Sequence, residues 1–333
     1  MTALRGWIVR DRVLPIALVV LVVGLVSAPG FGTAGNISNL LAQLAPDAVI
    51  AVGMTMLMVL GYVDLSVGST LAVAGVVYAM VAQHATVPLG VVAGLLVGAL
   101  AGAINAVLVV VFRVNFFITT LATQFAYQGI VITITGGNTI YGGERGFAWL
   151  ADTLVTIGGF SVTVLVIVAA VVAVVGDVFL VKTRIGRHMY AIGSSPRASI
   201  RAGIGVRRRI VMAYIVSGLC AALAGLMVAS RTTSGSPDVG TTDALMCICA
   251  AIIGGTSLFG GVGKVRLSIV GIVILYAVEN ILFLRVVSPY FTDVIQGAIL
   301  VAVVVVDVLL VRGRQRSVEQ AVGLSLFKDP EFS

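Results

Sequence analysis

The sequence predicts an all-α polytopic membrane protein with about ten transmembrane helices. Three observations predict it: 59% of the 333 residues are hydrophobic, only 11% are charged, and the mean hydropathy is +1.13. A soluble domain needs more charge than this to cover its surface. Ten helices of about 20 apolar residues each would use roughly 200 residues. We therefore expect a single transmembrane domain over residues 1–333.

Apolar runs, separated by polar, glycine or proline breaks, place the expected spans. The first run follows three arginines, as the core of a signal peptide also does, but it is long for such a core and we interpret it as a retained span. The ten expected spans are residues 13–29, 39–60, 66–83, 87–112, 116–135, 161–181, 210–229, 244–260, 266–284 and 291–311.

The distribution of Lys and Arg predicts the orientation, because basic residues collect on cytoplasmic loops. With the N-terminus inside, 18 of the 21 basic residues lie on the cytoplasmic side, and only Arg145, Arg231 and Arg285 lie outside. A missed span would reverse every later loop, so the split favours ten spans with both ends cytoplasmic. Residues 182–209 then form a basic inside loop and residues 136–160 an external loop. The orientation of the chain in the membrane explains the net charge of +7. We therefore expect no nucleic-acid binding.

A weak internal repeat indicates two inverted five-helix halves, with chance similarity between apolar helices as the alternative. Five spans separate the two copies, so the second copy would have the opposite orientation in the membrane, a common plan in transporters. The first copy consists of Asn105, Arg113, Phe116 and Phe117, and the second of Asn280, Arg285, Tyr290 and Phe291.

The first of three motifs is GYVDLSVGS, from Gly61 to Ser69, between the second and third spans. Gly61 can end a helix in the left-handed conformation. Asp64 and Ser66 can accept hydrogen bonds from the free N–H groups that open the next helix. A capped turn at the membrane surface explains these residue types, although it does not explain the whole string.

The second motif is TRIGRHMYAIGSSPRASIRAGI, from Thr183 to Ile204. Either Ser194 or Ser195 can cap a helix, Pro196 suits a first turn and Gly203 suits an exit. The string therefore predicts a helix of about two turns on the cytoplasmic face. Two roles suit such a helix: docking a cytoplasmic partner, or binding anionic lipid through its arginines.

The third motif is IGGTSLFGGVG, from Ile253 to Gly263, with two pairs of adjacent glycines. Small residues allow helices to pack closely in lipid. Alternatively, the helix breaks here and the backbone lines a cavity, where non-helical chain is tolerated at membrane depth.

Together the three strings resemble the ribose-type sugar permease family of ABC importers, within the branched-chain and ribose permease superfamily. That family carries a GGIDLSVGS-like string, a TRxGRxxYAIGxNxxAAxxxGI-like loop and an IGGTSLxGGxG-like string in the same order. The resemblance runs from about Ala45 to about Val306. Departures include Tyr62 for a usual Gly, Ser195 for a usual Asn and Arg197 for a usual acidic residue.

The resemblance implies a permease subunit of an importer for a sugar or polyol in the bacterial cytoplasmic (inner) membrane. The implied partners are a second permease chain, identical or not, an ABC ATPase with two cassettes, and a periplasmic or lipid-anchored sugar-binding protein. The chain itself has no GxxxxGK[ST], so we expect no enzymatic activity, and we expect no cofactor, metal or catalytic residue. An ATPase-coupling helix is expected at Ser195, Pro196, Arg197, Ala198, Arg201, Ala202 and Gly203.

Two further sites are expected within the membrane domain. The first and third motifs suggest a cytoplasmic gate at Asp64, Ser66, Gly68, Gly254, Gly255, Gly260 and Gly261. Polar and aromatic side chains in otherwise apolar helices suggest a substrate pathway at Asn105, Phe116, Phe117, Glu279 and Asn280. An ion-coupled secondary transporter using Asp47 or Glu279 is the alternative, since carboxylates inside a membrane are often functional.

Overall fold

The computed structural model describes residues 13–142, 148–157 and 160–288, together with residues 290–292, 294–295, 297–299, 301–302 and 305. Both predicted cytoplasmic ends and part of the tenth predicted span lie outside these residues. The first half contains α1 (Val13–Ser27), α2 (Ala34–Leu60), α3 (Val67–His84), α4 (Val87–Val110) and α5 (Phe116–Thr135).

The connection after α5 has its own secondary structure. It contains β1 (Ile140–Tyr141), α6 (Trp149–Asp152), β2 (Leu154–Ile157) and β3 (Phe160–Thr163). β2 pairs with β3 in an antiparallel hairpin. The prediction of an all-α fold was therefore wrong in detail, because two runs of β-branched and apolar residues, LVTI and FSVT, flank two glycines, the sequence pattern of a hairpin.

The second half begins with α7 (Val164–Lys182), α8 (Arg184–Ser194) and α9 (Pro196–Arg201). It continues with α10 (Val206–Thr232), β4 (Ser234–Gly235), α11 (Asp243–Ile253) and α12 (Val265–Leu284). The described residues between 290 and 305 are also helical. β1 pairs antiparallel with β4, so the connection after α5 is tied to the end of α10.

Among the described residues, seven helices are long and apolar enough to cross a membrane: α2, α3, α4, α5, α7, α10 and α12. α1 and α11 are shorter apolar helices. α11 differs most from its predicted span, 244–260, because the helix ends at Ile253. Glycines at 255, 260 and 261 then adopt positive φ, so residues 254–264 form a non-helical loop.

α2 is the central helix of the bundle, and its residues from Leu44 to Leu60 are all buried. It packs antiparallel to α10: the Arg231 Nη1 donates to the Ala42 carbonyl at one end, and the Tyr214 hydroxyl donates to the Val63 carbonyl just beyond the other. We call the end of the bundle that carries α8 and α9 the basic end, and the end that carries the β2–β3 hairpin the hairpin end.

Candidate functional site

The three sequence motifs meet at the basic end. α2 ends at Gly61, which adopts φ 83°. The Gly261 N–H of the third motif donates to the Val59 carbonyl at 2.8 Å. A Cβ on Gly193 of the second motif would meet that same carbonyl oxygen, so α8 and α2 are in backbone contact. Contacts between α2, α8 and the 254–264 loop thus bring together three motifs that lie far apart in the sequence.

Tyr190, for which the sequence alone predicted no role, connects the second motif to the third. Its hydroxyl donates to the Gly263 carbonyl at 2.6 Å. Burial raises the pKa of the Tyr190 phenol, so the group stays protonated and remains a donor at neutral pH. The bond orients α8, an amphipathic helix that was not predicted from the sequence, against the 254–264 loop.

The short helix that the second motif predicts is present as α9. Ser195 is its N-cap, and the Ser195 Oγ accepts from the Ala198 N–H at 3.3 Å. Pro196 occupies the first helical position, and Gly203 leaves the helix with φ 75°. Ser199 is buried against the bundle, whereas Ala198 and Ile200 are exposed. α9 therefore presents a partly apolar face, flanked by Arg197 and Arg201, away from the rest of the chain.

The segment after Gly61 is buried rather than a turn at the surface. Asp64 is 1% exposed, and its Oδ1 accepts from the Ser66 N–H at 2.9 Å and the Ser66 hydroxyl at 2.6 Å. Ser66 makes no side-chain cap to α3. The Asp64 carboxylate, instead of a surface cap, orders the chain that enters α3.

Asn105, predicted in the pathway, joins this same network. Its amide nitrogen donates to the Ser66 Oγ at 2.8 Å and to the Asp64 Oδ1 at 3.3 Å. Its amide oxygen accepts from the Thr123 hydroxyl at 2.8 Å. Asn105 is fully buried. The structure therefore brings Asn105 together with two residues of the predicted gate and joins α3, α4 and α5.

Phe116 and Phe117 point in different directions. Phe116 packs on Tyr62, with ring centroids 5.4 Å apart, and Tyr62 in turn contacts the ring of Tyr214. Phe117 is exposed. Tyr62, the departure from the family string, is thus the centre of an aromatic cluster at the basic end, and Phe117 is not part of it.

Gly68 of the first motif lies against a segment from the other half of the chain. A Cβ on Gly68 would collide with the carbonyl oxygen of Gly240, and a Cβ on Gly240 would meet Gly68 in return. The third motif packs closely too, since a Cβ on Gly254 would meet the backbone of Leu267 and Ser268. These glycines permit backbone contact that no larger residue allows.

The other predicted pathway residues lie toward the hairpin end. Asn280 exchanges two hydrogen bonds with Asn36, at 2.9 and 3.1 Å. Because Asn36 begins α2 and Asp64 follows its end, Asn105 and Asn280 are separated by most of a helix of about 40 Å. The sequence contained no signal for Asn36, which lies 244 residues from its partner.

Asp47 and Glu279 belong to a polar cluster between these two ends. The Tyr276 hydroxyl donates to the Asp47 Oδ2 at 2.6 Å. The Asp243 side chain lies within hydrogen-bond reach of Asp47, and Glu279 and Arg231 lie close enough to influence it electrostatically. The cluster connects α2, α11 and α12.

Comparisons with known proteins agree with one another. A family model described as "Branched-chain amino acid transport system / permease component" matches residues 36–304. The chain is 37% identical to the ribose import permease protein of Haemophilus influenzae, over 88% of this chain and 91% of that protein. It is 32% identical to the D-allose transport system permease protein of Escherichia coli, over 89% and 90%. It is 36% identical to the L-arabinose transport system permease protein of Escherichia coli, over 84% of both. No solved structure matches the chain.

Proposed function

Because the chain belongs to the family of permease components of branched-chain amino acid transport systems, we propose that it is the membrane-spanning subunit of an ABC importer for a sugar or polyol. The observation that carries the proposal is its similarity, over nearly its whole length, to permeases for ribose, D-allose and L-arabinose. The family's description mentions amino acids, but these relatives carry sugars. The chain is not itself an enzyme, since ATP hydrolysis belongs to a separate subunit.

We propose that the chain crosses the bacterial inner membrane ten times, which the helices and the basic residues support. α11 has 11 residues and is about 16 Å long, roughly half of a bilayer core of about 30 Å. Its flanking non-helical segments, residues 236–242 and 254–264, complete the eighth crossing. The excess of Lys and Arg at the basic end orients that end, and both chain termini, toward the cytoplasm.

The two halves are related by an inverted repeat with an offset of 172 residues. α2 begins at Ala34 and α10 at Val206, and each has 27 residues. Each ends in a left-handed residue, Gly61 or Thr233, at the same offset. Antiparallel packing of α2 on α10 and the mutual contact of Gly68 with Gly240 support inversion. Arg113 and Arg285 keep this offset, whereas Asn105 and Asn280 do not.

α9 is the site at which the ATPase engages the permease. It is anchored by its Ser195 cap and by buried Ser199, and its exposed face carries Ala198 and Ile200. A helix of six residues is unstable alone in water, so packing on a partner would stabilise it. The Tyr190 and Gly261 contacts connect this region to α2, which gives a direct path from the ATPase to the predicted gate.

Two further partners and the residues along the pathway remain to be placed. A second permease chain, identical or not, would form the pathway with this one, and a periplasmic or lipid-anchored sugar-binding protein would dock at the hairpin end. Asn105 and Phe116 lie at the basic end and act there by holding the gate segments in place. Glu279 and Asn280 lie on the external side of the route.

The proposal is tested by uptake in a bacterial host that lacks its own pentose and hexose importers. The chain is expressed with its ATPase and binding protein, and uptake of labelled D-ribose, D-allose, L-arabinose and L-leucine is measured. We expect uptake of at least one of the three sugars and none of L-leucine. Uptake of L-leucine without any of the sugars would assign the chain to amino acid transport instead.

A further inference from the structure

Residues 236–242 turn back into the bundle after β4. The Gln128 side-chain nitrogen on α5 donates to the Pro237 carbonyl at 2.8 Å. Three residues later, the Gly240 backbone contacts Gly68 at the start of α3. We call residues 236–242 the re-entrant segment, because they leave the hairpin end and lead into α11 within the bundle.

The depth of this segment follows from α3. Gly68 is 16 residues before His84, where α3 ends at the hairpin end, so it lies about 24 Å below that end. The hydrocarbon core of a bilayer is about 30 Å thick. The re-entrant segment therefore reaches well into the membrane, and its backbone consists of turns rather than helix. Non-helical backbone is tolerated at such depth where it is buried in protein or lines an aqueous cavity.

Polar side chains of this region are exposed on the single chain. Asp238, Thr241 and Thr242 of the re-entrant segment are exposed, and so is Gln43 on α2. Gln43 lies one turn from Asp47, whose backbone carbonyl accepts from the Cys247 thiol of α11 at 3.5 Å, so the start of α11 packs on this part of α2. The exposed polar groups of the two elements therefore border one surface.

The exposed face of α4, in contrast to this surface, is apolar along its whole length. Its large exposed residues are all apolar: Leu89, Val92, Leu96, Leu100, Ile104 and Val107. Such a stripe suits contact with lipid chains. Hydroxyl, amide and carboxylate groups are costly to transfer into hydrocarbon. The surface formed by the re-entrant segment and Gln43 must therefore face water or protein.

We propose that this surface is the hydrophilic wall of the solute pathway, with Thr241, Thr242 and Gln43 binding a polyhydroxylated solute. Neutral hydroxyl and amide groups both donate and accept hydrogen bonds, as sugar hydroxyls do. The wall is completed by a second permease chain. This assignment rests on the proposed function and adds to it residues from both halves of the chain.

Thiol labelling tests the assignment. In a chain whose three native cysteines are replaced by alanine, Thr242→Cys is compared with Leu100→Cys, which lies on the apolar face of α4 about 20 Å from its start at Val87. A membrane-impermeant, positively charged methanethiosulfonate reagent is applied to intact cells and to inverted vesicles, with and without ATP. We expect Thr242→Cys to react and lose uptake, and Leu100→Cys to stay unlabelled.

Two outcomes would overturn the assignment. One is absence of labelling of Thr242→Cys from both sides during ATP turnover. The other is cross-linking of Thr242→Cys to its counterpart on the second chain without any labelling, which would show a dry interface between subunits. The labelling does not depend on the sugar. If the unmodified chain takes up no sugar while Thr242→Cys is labelled, the proposed substrate class fails and the pathway wall stands.

Discussion

Asn105 shows how one amide can order three helices. It donates to the gate residues Asp64 and Ser66 and accepts from Thr123, all within a region excluded from water. Removing a partner from such a network leaves buried polar groups unsatisfied, at about 1–3 kcal/mol each. Its role in this account is to position the first motif.

We predict that Asn105→Ala lowers the thermal denaturation midpoint of the detergent-purified protein and reduces uptake. The matched control is Thr133→Ala on α5, whose hydroxyl is exposed and bonds only to a carbonyl of its own helix. The control should keep the parental midpoint. Equal midpoints for both variants would show that the buried network does not hold the gate segments.

Gly68 provides a second test at the residue scale. A Cβ there collides with the Gly240 carbonyl oxygen, and overpacking of this kind costs about 1–3 kcal/mol or more. Gly129→Ala is the control, because no atom lies within 4 Å of its added Cβ and alanine is the better helix former. In size-exclusion chromatography we expect Gly68→Ala to lose the monodisperse species and Gly129→Ala to keep it. A monodisperse, heat-stable Gly68→Ala would refute the contact.

The neighbouring residues in the sequence were sufficient to predict the conformation of some of these residues. The Ser195 cap and the left-handed Gly61 were both predictable because each depends on its immediate neighbours. The pairing of Asn36 with Asn280 was not, because 244 residues separate them and many arrangements of apolar helices are compatible with the same composition.

At the scale of single elements, α9 carries the clearest prediction. Ala198→Glu introduces a bulky charge on the exposed face of a helix that, in this account, packs into the ATPase. We expect the variant to reach the membrane, to lose most ATP-dependent uptake and to co-purify poorly with the ATPase. Ala198→Ser, which keeps a small side chain, should behave as the parent does.

The same experiment separates docking from lipid binding. If α9 served only to attract anionic lipid through Arg197 and Arg201, one added charge would change neither uptake nor ATPase association. Normal values of both in Ala198→Glu would therefore remove α9 as the coupling element.

The bounds of a helix were predictable where one apolar run covers the whole helix. They were unpredictable where tertiary contacts determine where the helix ends. Long apolar helices such as α4 and α7 were placed within three residues. α11 was overestimated because its predicted span ran on through the glycine-rich residues 254–260, whereas the helix ends at Ile253 and Gly255 adopts a positive φ. α8 was missed because its pattern of charged and apolar residues was interpreted as loop, although that pattern is typical of a helix lying on a surface.

For the whole molecule, the sequence was enough to predict the membrane class and the family resemblance. It was not enough to find the offset of the inverted repeat that we propose. The predicted repeat matched Asn105 with Asn280, whereas the helix bounds favour the offset of 172 that relates α2 to α10. The left-handed conformation of Gly61 was predictable, but that of Thr233 was not, and it is the match of the two helix ends that supports the proposed offset.

The source of energy for transport distinguishes the two possible functions of the whole molecule. An ABC permease moves its solute only with its ATPase, whereas an ion-coupled transporter would work alone through Asp47 or Glu279. Both carboxyl groups lie in a polar cluster that includes Asp243, Tyr276 and Arg231.

Uptake by proteoliposomes decides between the two most directly. Vesicles contain the permease with or without its ATPase, ATP is enclosed, and the sugar-binding protein with the labelled sugar that the host takes up is added outside. We predict uptake only when ATPase, ATP and binding protein are all present, with no requirement for a proton or sodium gradient. Uptake by the permease alone, driven by either gradient, would contradict the account.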